Sequence, residues 1–252
     1  MTNTIALVTG GSRGLGRNTA IALARLGTDV VLTYHSNREQ ADSAVAEIQK
    51  LGRKAVALQL DTGDTSAFDA FVGEFKKALK TTWNTDKFDQ LVNNAGTGLH
   101  AAFADTTEAQ FDSLMHVHVK GPYFLTQKLL PLMNDGGRIV MLSSGLARFS
   151  MAGVSAYASM KGAVEVLARC LAKELGPRGI AVNSFAPGAI ATDFGGGSVR
   201  DNPEVNKMVA ANTALGRAGE ADDIGPAIAS LLSPANRWIN GQRIEASGGM
   251  FV

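Results

Sequence analysis

The chain has 252 residues, 45% of them hydrophobic and 19% charged, with a formal net charge of +1. That composition can bury a sizeable core and offers no electrostatic case for binding nucleic acid. No apolar run approaches the ~18 residues of a spanning helix, residues 1–11 place no basic segment ahead of an apolar one, and the single cysteine, Cys170, excludes an internal disulfide.

These features predict a cytoplasmic protein that stays off membranes, with Cys170 a small core or interface residue in its apolar helical setting. No linker, charge block or repeat marks a boundary, so one domain over 1–252 is expected. In chain order, β-rich runs alternate with amphipathic segments of helix length. IALVT is followed by a helix over 15–26, DVVLTY by one over 38–51, and KAVALQL by one over 66–80. DQLVNNAG precedes a helix from about 108 to 130, and GRIVMLSS one from about 154 to 175. IAVNSFAPG leads to a short helix after Asp222, before a last strand at QRIEASGG. Such alternation predicts a parallel sheet. Strands that are apolar nearly throughout need cover on both faces, so the fold class is α/β, a doubly wound parallel sheet with helices on both sides. Ligands of such sheets sit at the carboxyl ends of the strands.

The first strand runs into TGGSRGLGR. Gly10 allows a sharp exit, Gly14 lets backbone approach a pyrophosphate, and Gly16 lets the helix pack close, so that free amides face the phosphates. Ser12, Arg13 and Leu15 belong to the same turn. The spacing is not GxGxxG, and no GxxxxGK[ST] is present, which argues against a nucleotide-triphosphate loop. The second strand ends Tyr34, His35, Ser36, Asn37, Arg38, without the carboxylate that binds the ribose of NAD; Asp29 lies too early, at the strand's start. Arg13 and Arg38 instead suit the 2′-phosphate of NADP, which is expected as NADPH in preference to NAD.

The strongest chemical signal is YASMK. Residues four apart share a helix face, so the ammonium of Lys161 can sit beside the phenol of Tyr157 and bring its pKa down toward that of a general acid/base. SSG, at the end of a strand shortly before, adds a hydroxyl.

Together these residues resemble the short-chain dehydrogenase/reductase family over essentially the whole chain: TGxxxGxG at 9–16, NNAG at 93–96, the serine of LSSG, YxxxK, and Pro187–Gly188. The resemblance, closest in character to an NADP-preferring carbonyl reductase, implies a Rossmann-like fold and a nicotinamide cofactor. It also implies reversible interconversion of an alcohol and a carbonyl, and a homo-oligomer, commonly a tetramer. Family spacing selects Ser144 as the catalytic serine over Ser143, which then reads as a core hydroxyl. Asn93, Asn94 and Gly96 would steady the central sheet and border the adenine ribose, with Ala95 among the cofactor-binding residues, and Asp61 would lie beside the adenine ring. Pro187, Gly188, Ile190 and Thr192 would line the nicotinamide, while Lys161 would bond its ribose beside Tyr157. In FDSLMHVHVKG the family's relay asparagine is replaced by His118, which hydrogen-bonds and titrates near neutrality and is expected to fill or modify the relay as a fourth catalytic residue. His116 reads as surface or interface, since histidines two apart on a helix do not face one another and no metal motif accompanies them.

Residues 190–215, rich in glycine and then polar, predict a mobile substrate lid. With Leu146, Phe149, Met151 and Phe194 as an apolar wall, a small-molecule ketone or ketoester is expected. A 3-oxoacyl thioester of fatty-acid synthesis competes, and a non-catalytic NADP-binding regulator is the alternative of another class.

Overall fold

The computed structural model describes residues 4–252; residues 1–3 of the expected 1–252 domain lie outside the described residues. Seven strands form one sheet: β1 (Ile5–Val8), β2 (Asp29–Tyr34), β3 (Ala55–Gln59), β4 (Phe88–Asn93), β5 (Met133–Leu142), β6 (Ala181–Pro187) and β7 (Arg243–Ala246). All pairings are parallel, in the order β3-β2-β1-β4-β5-β6-β7. The helices are α1 (Gly14–Arg25), α2 (Arg38–Lys50), α3 (Phe68–Trp83), α4 (Glu108–Met115), α5 (Gly121–Leu129), α6 (Ser155–Glu174), α7 (Ser198–Asp201), α8 (Pro203–Ala211) and α9 (Ala221–Leu231). This is the expected doubly wound, Rossmann-like arrangement.

The strand period of two divides the core between the faces. Along β1, Ala6 and Val8 pack with residues of α1, α2 and α9, whereas Ile5 and Leu7 pack with residues of α3, α5 and α6. Strand order reverses between β1 and β4, which opens a crevice at their carboxyl ends. On one face α1 and α9 approach so closely that a Cβ on Gly225 would lie 1.9 Å from Asn18 Oδ1 and 2.7 Å from the Asn18 backbone.

Two sequence expectations are corrected. The helix expected from 108 to 130 is interrupted by a π-helical turn, His116–Lys120, closed by the Gly121 N–H donating to the His116 carbonyl five residues back. Pro122 accounts for the break: it has no N–H to offer the carbonyl four residues before it, and its ring would crowd that group. Within the expected lid segment, α8 is started by Asn202, whose side chain accepts from the Glu204 and Val205 amides, and by Pro203 at its first position. Cys170 is exposed and not a core residue. No helix among the described residues is long and apolar enough to cross a membrane.

Gly225→Ala is expected to cost about 1–3 kcal/mol, because rigid backbone as well as the Asn18 side chain stands in the way. Urea unfolding checks this; an unchanged midpoint would show that α1 and α9 can part freely.

Candidate active site

The crevice is held open by one polar stitch. Thr9 Oγ1 accepts from the amides of Asn94 (2.9 Å) and Ala95 (3.0 Å), and Asn94 Nδ2 donates to the carbonyls of Thr9 (2.9 Å) and Gly10 (3.2 Å). Gly10 N donates to Thr33 Oγ1 and Gly11 N to the Thr33 carbonyl, which sews the glycine turn to β2. A Cβ on Gly16 would sit 2.2 Å from the Gly10 carbonyl oxygen, so this glycine is a packing requirement. Gly14 has a φ of +53° and open space beyond it, with Thr192 Cβ the nearest atom at 4.0 Å. No side chain caps α1, and its first turn carries no acidic residue. These features fit a dinucleotide pyrophosphate: amides at a positive helix end, with room for backbone approach at Gly14. A cavity of about 340 Å³ lies against Gly14 and Thr192, with Arg17, Asp193 and Arg200 among its walls.

The neighbouring strands β1 and β2 bring Arg13 and the 36–38 segment out along one edge. Arg13 pairs with Asp193 at 3.7 Å and Arg38 with Asp42 at 3.5 Å, both at exposed positions. Such pairs are weak, so either guanidinium can turn to a phosphate. Asn37 is engaged otherwise, capping α2 by accepting from Gln40 N. Ser36 is exposed, and Ser12 is buried in the glycine turn with Leu15 packed on the core. Asp61 accepts from Gly63 N and faces His35 at 3.5 Å.

β5 and α6 assemble the chemistry. The Ser144 hydroxyl faces the Tyr157 phenol and favours its ionised form, and the Lys161 ammonium lies 5.5 Å from the Tyr157 ring centroid while donating to the Leu142 carbonyl at 2.7 Å. Tyr157 and Lys161 are both buried. Burial pushes the Tyr157 pKa up, only partly offset by the Ser144 hydroxyl, and brings Lys161 down to about 7. The expectation that Lys161 depresses the phenol is therefore corrected: loss of water outweighs it and favours the neutral form of each group.

His118 belongs to the same cluster. Its ring meets Tyr157 edge-on at 5.3 Å, and Nε2 lies 2.7 Å from the Thr97 carbonyl. Thr97 N–H also points at Nε2, at 3.3 Å; the closer carbonyl contact assigns the proton to Nε2 and leaves Nδ1 a buried acceptor without a hydrogen-bond partner among the described residues. Burial first, then the Lys161 charge, lowers its pKa to about 3 against the raising effect of Thr97. The expected titration near neutrality is thus overturned. His118 also explains Gly96, because a Cβ there would come within 2.6 Å of the imidazole Cε1. His116 is half-buried, and no cluster of three or more His, Cys, Asp or Glu is placed to hold a metal among the described residues.

A serine, tyrosine and lysine converging beside a phosphate-ready glycine turn prompted comparison with known proteins. A family model described as enoyl-(acyl carrier protein) reductase matches residues 10–251. The short-chain dehydrogenase/reductase GME11373 of Pestalotiopsis microspora is 35% identical, over 97% of this chain and 94% of its own. The chain belongs to the short-chain dehydrogenase/reductase family. Two solved members are also close. LugOII, a promiscuous reductase that catalyses keto-reduction at C1 during lugdunomycin biosynthesis, matches with a TM-score of 0.94 and 40% identity, over 100% of this chain and 99% of its own. The angucycline C-6 ketoreductase LanV, solved with bound NADP, matches with a TM-score of 0.94 and 35% identity, over 98% and 95%.

Within this dehydrogenase/reductase, the other expected residues divide. Asn93 turns away from the crevice, its amide donating to Thr126 Oγ1 and Met141 Sδ, so it steadies β4 against α5 and β5. Pro187 ends β6, Gly188 N donates to the Ala246 carbonyl, Ile190 bridges to Gly219, and Thr192 Oγ1 accepts from Phe194 N. Phe194 lies 5.9 Å from the Tyr157 ring, and Leu146 packs on the cluster containing Tyr157. Phe149 instead pairs with Phe251 at 4.7 Å, and Met151 is exposed. Phe251 was missed from sequence; a lone terminal aromatic carries no periodic signal.

Gly96→Ala is expected to cost about 1–3 kcal/mol in the wild-type background and close to nothing beside His118→Ala, a coupling read by a double-mutant cycle of unfolding free energies. The depressed His118 pKa also sets a sign. The unfolded chain binds its proton below about 6.5 while the native chain refuses it down to about 3, so the stabilisation is complete above 6.5 and is lost as pH falls through that window. Relative to His118→Asn, the wild type should lose up to about 1.4 kcal/mol per pH unit below 6.5 in urea titrations; parallel curves would place the imidazole in water.

Proposed function

We propose that the protein reduces a ketone or ketoester carbonyl to a secondary alcohol with NADPH. The observation that carries the reading is the convergence of Ser144 and buried Tyr157 and Lys161, with the Lys161 ammonium 5.5 Å from the phenol ring. Bound NADPH would supply the hydride, from nicotinamide C4 to the carbonyl carbon. The Ser144 hydroxyl then holds the carbonyl oxygen, and Tyr157 delivers its proton to that oxygen as negative charge develops there. Burial suits this direction, since it keeps the phenol protonated before the step. Lys161 faces the resulting phenolate and stabilises it until a proton returns.

The cofactor choice rests on Arg13 and Arg38 and on the missing carboxylate after β2, and is in keeping with the NADP bound by LanV. Ala95, Gly96, Pro187, Gly188, Ile190 and Thr192 edge the same crevice and would hold the nicotinamide half. His118 acts as a neutral positioning group that pins Thr97, in place of the titrating relay. Phe194, on the 190–215 lid, together with Leu146 forms the apolar wall beside Tyr157. That wall suits an uncharged ketone, as do the keto-reductions named for LugOII and LanV. A 3-oxoacyl thioester presents the same carbonyl to the same residues and is the second substrate to assay.

Tyr157→Phe should keep its fold and NADPH binding while losing about 10²–10⁴ in turnover, followed by nicotinamide absorbance over a panel of ketones, ketoesters and an acetoacetyl thioester. Wild-type turnover by that variant would remove Tyr157 as the acid. Arg13→Ala and Arg38→Ala should each raise KM for NADPH about 10-fold or more and leave KM for NADH nearly unchanged. Equal changes for both cofactors would move the 2′-phosphate site elsewhere.

A further inference from the structure

One charged network in the structure lies behind the catalytic serine rather than in the crevice. On α6, Glu165 follows Lys161 by one turn and so shares the face that carries Tyr157 and Lys161. Its Oε1 accepts from the hydroxyl of Ser143 and from Nε of Arg243, both at 2.6 Å. Arg243, on the edge strand β7, reaches three ways. Nε goes to Glu165, Nη1 to Glu245 at 2.6 Å, and Nη2 to the carbonyl of Ser144 at 3.3 Å. Glu245 in turn takes two hydrogen bonds of 2.8 Å from Arg148, whose Nη2 also donates to the Met250 carbonyl at 2.8 Å. All three side chains of the inner part are mostly buried: Arg243 is 21%, Glu165 12% and Glu245 18% exposed.

We propose that Arg243 is a positioning residue for Ser144, fixing the direction of the serine hydroxyl toward Tyr157. The inference rests on the reductase reading above, in which Ser144 holds the substrate oxygen. Ser143 is anchored at its side chain through Glu165, and Ser144 is anchored at its carbonyl by the same guanidinium. The backbone from Ser143 to the Ser144 carbonyl is therefore tied at both ends, so the Ser144 peptide to residue 145 cannot swing away without losing a charge-assisted bond, and a rigid guanidinium fork supplies that restraint where an ammonium could not. Ser144 itself leaves β5 in extended backbone and caps the turn Gly145–Ala147, its hydroxyl oxygen accepting from Leu146 N at 3.2 Å, a local bond that leaves the backbone carrying it to be held from elsewhere. The network supplies that backbone restraint through the Ser144 carbonyl. Two cations and two carboxylates alternate along it, so no charge in it is left without a partner.

The test is a double-mutant cycle on turnover with saturating NADPH and a ketone substrate. Arg243→Met should lower kcat about 10- to 100-fold, with NADPH binding measured by fluorescence unchanged; a displacement of about 1 Å at a reacting group costs this much. In a Ser144→Ala background the same change should lower kcat no further, because the group it positions is gone. An equal loss in both backgrounds, or no loss in either, overturns the proposal. Arg243→Lys guards against misfolding: it keeps a charge for Glu165 but cannot span to Ser144, so it should melt close to wild type yet show reduced kcat. Wild-type kcat in Arg243→Lys would also overturn the proposal. Wild-type kcat in Ser144→Ala alone would instead refute the role of Ser144 in the reductase reading, whatever Arg243 does.

Discussion

Parallel pairing of seven strands obliges the chain to cross back over the sheet after every strand, so helices cover both faces and polar chemistry can emerge only at strand ends. Everything distinctive here obeys that constraint. Thr9 and the glycine turn leave β1, Asn94 to Gly96 leave β4, Ser143 and Ser144 leave β5, and Pro187 to Thr192 leave β6. Because β1, β4, β5 and β6 are consecutive neighbours in the sheet, segments up to about 180 residues apart in sequence meet along one edge. The Thr9–Asn94 stitch holds the first of these meetings, and the Arg243 network holds the last.

The price of meeting at that edge is desolvation. Tyr157, Lys161 and His118 are withdrawn from water together, and in each the neutral form gains. For Lys161 one hydrogen bond, to the Leu142 carbonyl, replaces lost hydration. For His118 the Thr97 carbonyl does so on one nitrogen only. The phenol is thereby kept as an acid, the lysine titrates within the physiological range, and the histidine stays uncharged beside it. A charged imidazole at this position would repel the Lys161 ammonium, so its low pKa is compatible with the lysine's function.

Much of this was legible in the sequence because its signals are local and periodic. The strand–helix alternation, the glycine turn and the four-residue spacing of Tyr157 and Lys161 each need only a short window. What was not legible depends on long-range packing or on termination signals easily passed over. Pro122 marks the π turn, and Asn202–Pro203 marks α8, yet each sits within a stretch whose apolar pattern suggests something else. The pKa of His118 cannot be read from its neighbours in sequence, since Thr97 and Lys161 supply its environment from other elements. The partnership of Ser143, Glu165 and Arg243 joins β5, α6 and β7, and only the fold brings those three together.

The burial of Tyr157 also ties the segment that follows β6 to the chemistry. Phe194 reaches over the phenol from a segment in which Gly195, Gly196 and Gly197 are all left-handed, with φ of +61°, +72° and +78°. A side chain at any of these would cost about 1–2 kcal/mol, so three in succession reserve this conformation for glycine. The same run carries the largest backbone freedom in the unfastened state, and the ring it carries is 46% exposed and held on one side by Tyr157 and Gly98. Lifting Phe194 would readmit water to the phenol and relax the burial that raises its pKa. Closing it restores the neutral acid and excludes solvent from the carbonyl. The contact of Phe194 with Tyr157 and the burial that raises the phenol's pKa therefore belong together, placed by three glycines and one aromatic ring.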